Sequence, residues 1–177
     1  MESIRWPEDY LPGLTDNFVS NEVIVQGLSV EDVWEQLANP HHWPEYYENA
    51  SDIRTSSEIL KEGDVFFFRT FGFPVDAQVT ECVPPGREAC ARLAWHGWCG
   101  EGKDRLDVIH AWLIEALSHN RVRILTQESQ KGEPAKVLAK THPNPMVAGH
   151  QDWLEGIVRA LGTAQKLVLI IDAPEGE

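Results

Sequence analysis

The chain has 177 residues, with 28 acidic side chains against 15 basic ones and a formal charge of −13 at pH 7. That balance argues against a nucleic-acid partner, because tracking a phosphate backbone requires clustered positive charge. A hydrophobic share of 42% over this length is enough for one sizeable core and sets aside disorder as the default.

The longest aliphatic run, Leu167 to Ile171, falls far short of the ~20 apolar residues of a membrane span. Met1-Glu2-Ser3-Ile4-Arg5 has no secretory hydrophobic stretch, so a cytoplasmic protein without a membrane span is expected. Cys82, Cys90 and Cys99 are odd in number and lack CxxC spacing, which suggests neither a disulfide framework nor a four-thiolate zinc site.

Residues 1–19, with Trp6-Pro7 and Pro12-Gly13, read as an irregular arm that Trp6 and Tyr10 could anchor. From Glu22 to Leu28 the β-branched Val23, Ile24 and Val25 predict a first strand, and Ser29-Val30-Glu31-Asp32 resembles a capping box opening a helix. Val30, Val33, Trp34 and Leu37 then form one apolar stripe, which Asn39-Pro40 ends. A short second helix is expected to hold Trp43, Tyr46 and Tyr47.

Six strand-like runs follow: Asp52 to Ser57, Asp64 to Phe71, Val75 to Val83, Glu88 to Gly97, Arg105 to Leu117 and Arg121 to Gln130. Turn chemistry such as Pro84-Pro85-Gly86 and Ser118-His119-Asn120 separates them, and successive antiparallel hairpins are the economical arrangement. Lys131 to Pro145 reads as a loop. Met146 to about Leu167 has helical periodicity through His150, Trp153, Ile157 and Leu161. Its glycines, Gly149, Gly156 and Gly162, point to close packing or a bend, because interior glycine weakens a helix. An acidic tail occupies 172–177.

This order predicts an α+β domain over residues 20–171: a curved antiparallel sheet of about seven strands around a long C-terminal helix, with two short helices after the first strand. Several local patterns point the same way. They are Ser29-Val30-Glu31-Asp32-Val33-Trp34 before Trp43-Pro44, Gly63-Asp64-Val65-Phe66, Val79-Thr80-Glu81-Cys82-Val83-Pro84-Pro85, Leu93-Ala94-Trp95-His96-Gly97 and His110-Ala111-Trp112-Leu113-Ile114.

In that order and spacing, over most of residues 20 to 165, the chain resembles the SRPBCC superfamily. That group contains START lipid-transfer domains, birch-pollen-allergen-like proteins and polyketide cyclases or dehydrases. The resemblance implies a helix-grip fold with a pocket between sheet and helix. It carries no shared catalytic signature.

Alternation along Arg105 to Leu117 puts Leu106, Val108, His110, Trp112, Ile114 and Ala116 on one nearly apolar face, which should meet the helix. On the next strand Val122, Ile124 and Thr126 match it and Glu128 follows, while Arg121, Arg123 and Gln127 should face solvent. The resemblance also places Phe66 and Phe68 inward, the set Val75, Ala77, Val79 and Glu81, and the pair Leu93 and Trp95.

Such a surface suits a hydrophobic or aromatic small molecule. The expected contacts are Tyr46, Tyr47, Phe66, Phe68, Trp95, Trp112, Ile114, His150, Trp153 and Ile157, although in a chain with seven tryptophans core filling is the plainer role for each. His110 and Glu81 are the candidate proton-transfer residues for a cyclase- or dehydrase-type reaction. Glu128 could act similarly, but strand-end positions reached by water would leave both Glu81 and Glu128 solvated, which is the plainer role for each.

His96…Cys99 and His41-His42 lack further donors at persuasive spacing, so neither metal nor other cofactor is expected. Gly97, Gly100 and Gly102 do not join a strand to a helix as a phosphate-cradling loop requires. The alternative to ligand binding is a protein-interaction module resembling heat-shock ATPase activator homologues, with the acidic exterior favouring a basic partner.

Overall fold

The computed structural model describes residues 1–171, with side chains through Gly162; the expected acidic tail lies outside them. Strands β1 (Asn17–Gln26), β2 (Ser51–Thr55), β3 (Val65–Thr70), β4 (Phe73–Val83), β5 (Cys90–Cys99), β6 (Leu106–Leu117) and β7 (Arg121–Lys131) form one antiparallel sheet in the order β1-β7-β6-β5-β4-β3-β2. Helices α1 (Val30–Ala38) and α2 (Trp43–Tyr46) connect β1 to β2, and α3 (Glu133–Lys140) and α4 (Pro145–Ile171) follow β7. The curved sheet grips α4, which is the helix-grip arrangement. Among the described residues no helix is long and apolar enough to cross a membrane.

Local chemistry accounts for the elements. The Ser29 hydroxyl accepts from the Asp32 backbone N–H at 3.0 Å, and the Asp32 carboxylate accepts from the Ser29 N–H at 3.3 Å, closing the capping box of α1. Helix α4 is tied to β1 by Asn21, whose Nδ2 donates to the Val147 carbonyl at 3.0 Å and to Gln151 Oε1 at 3.1 Å. The core between sheet and helices is rich in rings: Trp43, Trp95, Trp112 and Trp153 are all essentially inaccessible to solvent.

Three expectations need correction. Strand β1 begins at Asn17, because residues 17–21 complete the ladder with β7. The segment expected to be a loop contains α3: Gly132 turns the chain with φ +121°, Pro134 sits in the first helical turn, and Ala135 is buried against Cys99, Leu106 and Val108.

The third concerns the outer face of the sheet, which is not simply solvated. The arm lays Ile4 and Trp6 over Cys90, Ala94, Ala111, Leu113 and Leu125. Arg123, expected in water, is buried there; it donates to Glu22 Oε2 (2.6 Å), to Glu115 Oε2 (3.1 Å) and to the Glu2 carbonyl (2.9 Å). A charged parity set beneath an overlying segment looks the same in sequence as one facing solvent.

Candidate functional site

Antiparallel register builds the site. Trp95 on β5 pairs with His110 on β6, His110 pairs with Glu128 on β7, and Glu128 pairs with Val19 on β1, so these residues form one row across the sheet. Helix α4 covers the row with His150. The His110 and His150 rings stack 4.5 Å apart, centroid to centroid, and Trp95 lies 4.8 Å from His110. His110, Glu128 and His150 are all buried.

One carboxylate oxygen is shared. Glu128 Oε2 lies 3.1 Å from His110 Nδ1 and 3.3 Å from His150 Nε2. The second oxygen, Oε1, accepts from the Gln130 amide. A polar chain continues from there: Gln130 Oε1 accepts from Asn17 Nδ2 at 2.7 Å, Asn17 Oδ1 accepts from Asn144 Nδ2 at 3.0 Å, and Asn144 Oδ1 caps the Met146 N–H at 3.0 Å. The carboxylate is thereby held from β7, from β1 and from the start of α4.

Thr126 meets the second ring nitrogen of His110. Its hydroxyl lies 3.3 Å from the Ala111 carbonyl and 2.8 Å from His110 Nε2. A carboxylate only accepts, so Glu128 favours the proton on His110 Nδ1, and the Thr126 hydroxyl, at the shorter of its two contacts, then donates to Nε2. His150 Nδ1 is buried without a hydrogen-bond partner among the described residues.

Burial holds the His110 imidazole well below its ordinary pKa; His150 pushes it the same way, and the Glu128 carboxylate opposes both. Burial also penalises the charge on Glu128, but the two imidazoles and the Gln130 amide outweigh it and carry this carboxyl below its usual range. The resulting combination is a buried carboxylate held between two buried imidazoles.

A cavity of about 40 Å³ opens beside this cluster. Its walls include Phe68, Phe71, Phe73, Val75, Val108, Leu138 and Met146, and His110, Glu128, Gln130 and His150 supply its polar side. The volume suits one or a few waters or an ion, well below the ~300 Å³ at which ordinary ligand pockets begin. Behind it the interior is filled: Trp43 stacks on Trp95 at 5.5 Å and meets Trp153 at 5.0 Å, and Trp153 meets Trp112 at 5.1 Å.

No family model and no curated protein matches the sequence. Among solved structures, the crystal structure of hypothetical protein jhp0584 from Helicobacter pylori is 51% identical, covering 90% of this chain and 96% of its own, with a TM-score of 0.87. The chain belongs to the family of that protein. Beyond the family the likeness is one of fold alone. Norcoclaurine synthase from Thalictrum flavum aligns at 11% identity over 91% of this chain and 98% of its own, with a TM-score of 0.61. The di-domain ARO/CYC protein BexL, from the BE-7585A biosynthetic pathway, aligns at 10% identity over 80% of this chain and 45% of its own, with a TM-score of 0.57.

In this member of the jhp0584 family, the residues anticipated as a site divide into two groups. His110, His150, Phe68, Trp95 and Trp153 line the cavity. Phe66, Trp112, Ile114 and Ile157 pack in the core without lining it. Tyr46 and Tyr47 are core residues as well: the Tyr46 hydroxyl donates to the Gln36 carbonyl at 3.0 Å, and the Tyr47 ring stacks on Trp153.

Glu81 is on the wrong face for proton transfer with His110. A β-bulge inserts Thr80 between the pairs Val79–Trp95 and Glu81–Ala94, which turns Glu81 outward to Arg5 at 3.0 Å. Glu128, anticipated as solvated, is instead enclosed because β1 and α4 cover the end of β7. Sequence reasoning missed Gln130, which continues the inward parity of Thr126 and Glu128.

Proposed function

We propose that the chain binds a compact, largely apolar small molecule in the cavity between the sheet and α4, with one polar group of that molecule directed at His110, Glu128 and His150. The observation that carries this reading is the asymmetry of the cavity: aromatic and aliphatic walls converge on one buried polar cluster. The likeness of fold to a cyclase and to norcoclaurine synthase supports a ligand-holding role for the interior.

Size discriminates between ligand classes. A long polyketide chain needs the volume that the four tryptophans occupy, so the geometry favours a molecule no larger than one ring. Admission requires the Phe71 ring or the Met146 side chain to move, and methionine adapts readily to such a change.

The test is a panel of phenol, catechol, benzoate and aniline, followed by tryptophan fluorescence and thermal melting. A member of the panel should quench the fluorescence and raise the melting temperature in the wild type. Val108→Phe, which fills the cavity, should abolish both effects while retaining the wild-type circular dichroism. Equal responses in the wild type and a folded Val108→Phe protein would place binding elsewhere, and no response to any probe would remove the one-ring ligand class.

A further inference from the structure

The buried cluster raises a separate question: what balances its charge. Among the described residues, the ion-pair partners of Glu128 are the two imidazoles and no lysine or arginine. Taking a carboxylate out of water without a compensating charge is strongly unfavourable. His110 Nδ1 and His150 Nε2 both converge on the same oxygen, Glu128 Oε2, at 3.1 and 3.3 Å, a position that a shared cation can occupy in place of ring protons.

We propose that His110 Nδ1, Glu128 Oε2 and His150 Nε2 are the protein ligands of a divalent transition-metal ion, and that the adjoining cavity supplies its remaining coordination position. The inference stands on the cluster itself and does not require the small-molecule reading above.

Distances support it. Ligands ~2.0–2.1 Å from a zinc-sized ion stand ~3.3 Å apart along the edge of a tetrahedron. The His110–Glu128 and His150–Glu128 separations are 3.1 and 3.3 Å, and all three candidate atoms lie within 4.8 Å of one another. Two of the three edges thus already match, and metal binding would draw the third, His110 to His150, from within 4.8 Å to the same length.

The surroundings of two of the three donors, His110 and Glu128, match what such a site needs. A ligating histidine usually donates its other ring N–H to an oxygen that fixes its orientation, and a ligating carboxylate is usually held through its second oxygen. His110 Nε2 meets Thr126, and Glu128 Oε1 meets Gln130, which is itself fixed by Asn17. Two imidazoles and one carboxylate select zinc or ferrous iron over magnesium or calcium, which prefer all-oxygen shells. Three protein donors with an open position also match the ligand count of reactive rather than purely structural zinc sites. The apolar walls keep bulk water from competing.

The experiment uses the untagged full chain, stripped with a chelator and dialysed, titrated calorimetrically with Zn²⁺ and separately with Mg²⁺. Co²⁺ serves as a spectroscopic substitute. The wild type should take up one equivalent of Zn²⁺ at micromolar affinity or tighter, ignore Mg²⁺, and develop the ligand-field bands of bound Co²⁺.

Glu128→Gln, nearly the same shape, and His150→Ala should each weaken Zn²⁺ binding by more than about 100-fold, while Thr126→Val should lose only ~10–100-fold as an outer-shell change. Circular dichroism melting establishes that each variant is folded; if Glu128→Gln is not, His150→Ala decides. Absence of Zn²⁺ uptake by the wild type overturns the proposal, and so does unchanged affinity in a folded Glu128→Gln or His150→Ala protein. Because no organic ligand is added, failure here leaves the one-ring ligand test standing, and the reverse also holds.

Discussion

Gly149 of α4 presents bare backbone to the ring of Phe71: a methyl group at 149 would stand 1.9 Å from Phe71 Cζ. Phe71 sits at the β3–β4 turn with φ +51°, and its ring lines the cavity, so this contact closes the cavity against the helix. The far end of a side chain yields more easily than a helix axis. In Gly149→Ala the ring should therefore swing out and leave α4 in place. The gain of ~1 kcal/mol in helix propensity opposes the lost ring contact, so the melting temperature should change little. Acrylamide quenching of tryptophan fluorescence should rise as Trp95 and Trp153 become reachable; quenching equal to that of the wild type would show that Phe71 is not the closure.

Gly156 makes the opposite prediction from the same helix. An added methyl there would meet the Tyr46 carbonyl oxygen at 2.3 Å, and that atom belongs to the backbone of α2. Neither partner can rotate away. Gly156→Ala should be destabilising by about 1–3 kcal/mol, despite the better helix former, because overpacking pushes two elements apart. Urea unfolding measures this; a variant as stable as the wild type would mean that α2 is free to shift.

These two glycines also show where sequence reading stops. Their presence on an apolar helix face pointed to close packing or a bend, and two of the three pack closely, while an added methyl at Gly162 meets nothing within 4 Å among the described residues. Strand parity on β6 and β7 was legible because twelve- and eleven-residue strands repeat the alternation many times. It located His110 and Glu128 on the inner face. It could not locate Glu81 correctly, because one extra residue in β4 reverses every parity assignment beyond it. The convergence of His110, Glu128 and His150 was hidden for a different reason: the three donors come from two strands and a helix, far apart in the chain, and no ligand spacing within one element marks them.

Arg123 and Glu81 both interact near the N-terminal arm, but they differ in burial and therefore in consequence. Arg123 joins Glu22, Glu115 and the Glu2 carbonyl, and Glu115 is itself buried. Arg123→Met should cost about 3 kcal/mol, since it strands the Glu115 carboxylate beneath the arm. It should also free the arm, which faster tryptic cleavage after Arg5 would report. Glu81→Gln loosens only a partner that is more than half exposed, and should leave the unfolding midpoint and ligand binding as they are. Loss of ligand binding in Glu81→Gln would return that residue to the site.

Asp107 provides a pH test away from the cavity. Its carboxylate takes two N–H groups of Arg105, at 2.8 and 2.9 Å, and lies 2.9 Å from His96 Nε2. The Arg105 guanidinium is the main reason its pKa lies below the ordinary value; burial opposes the shift and His96 assists it. A depressed folded-state pKa contributes stability that is present above the unfolded value of ~3.9 and disappears as pH falls through the lower folded value. The pair is substantially solvated, with side-chain exposures of 41% for Arg105 and 24% for Asp107, so the contribution should be at most ~1 kcal/mol. Asp107→Asn should therefore unfold at lower urea than the wild type near pH 6, and the two curves should converge as pH drops below ~3. A gap of constant size across that range would mean that Asp107 acts through shape rather than charge.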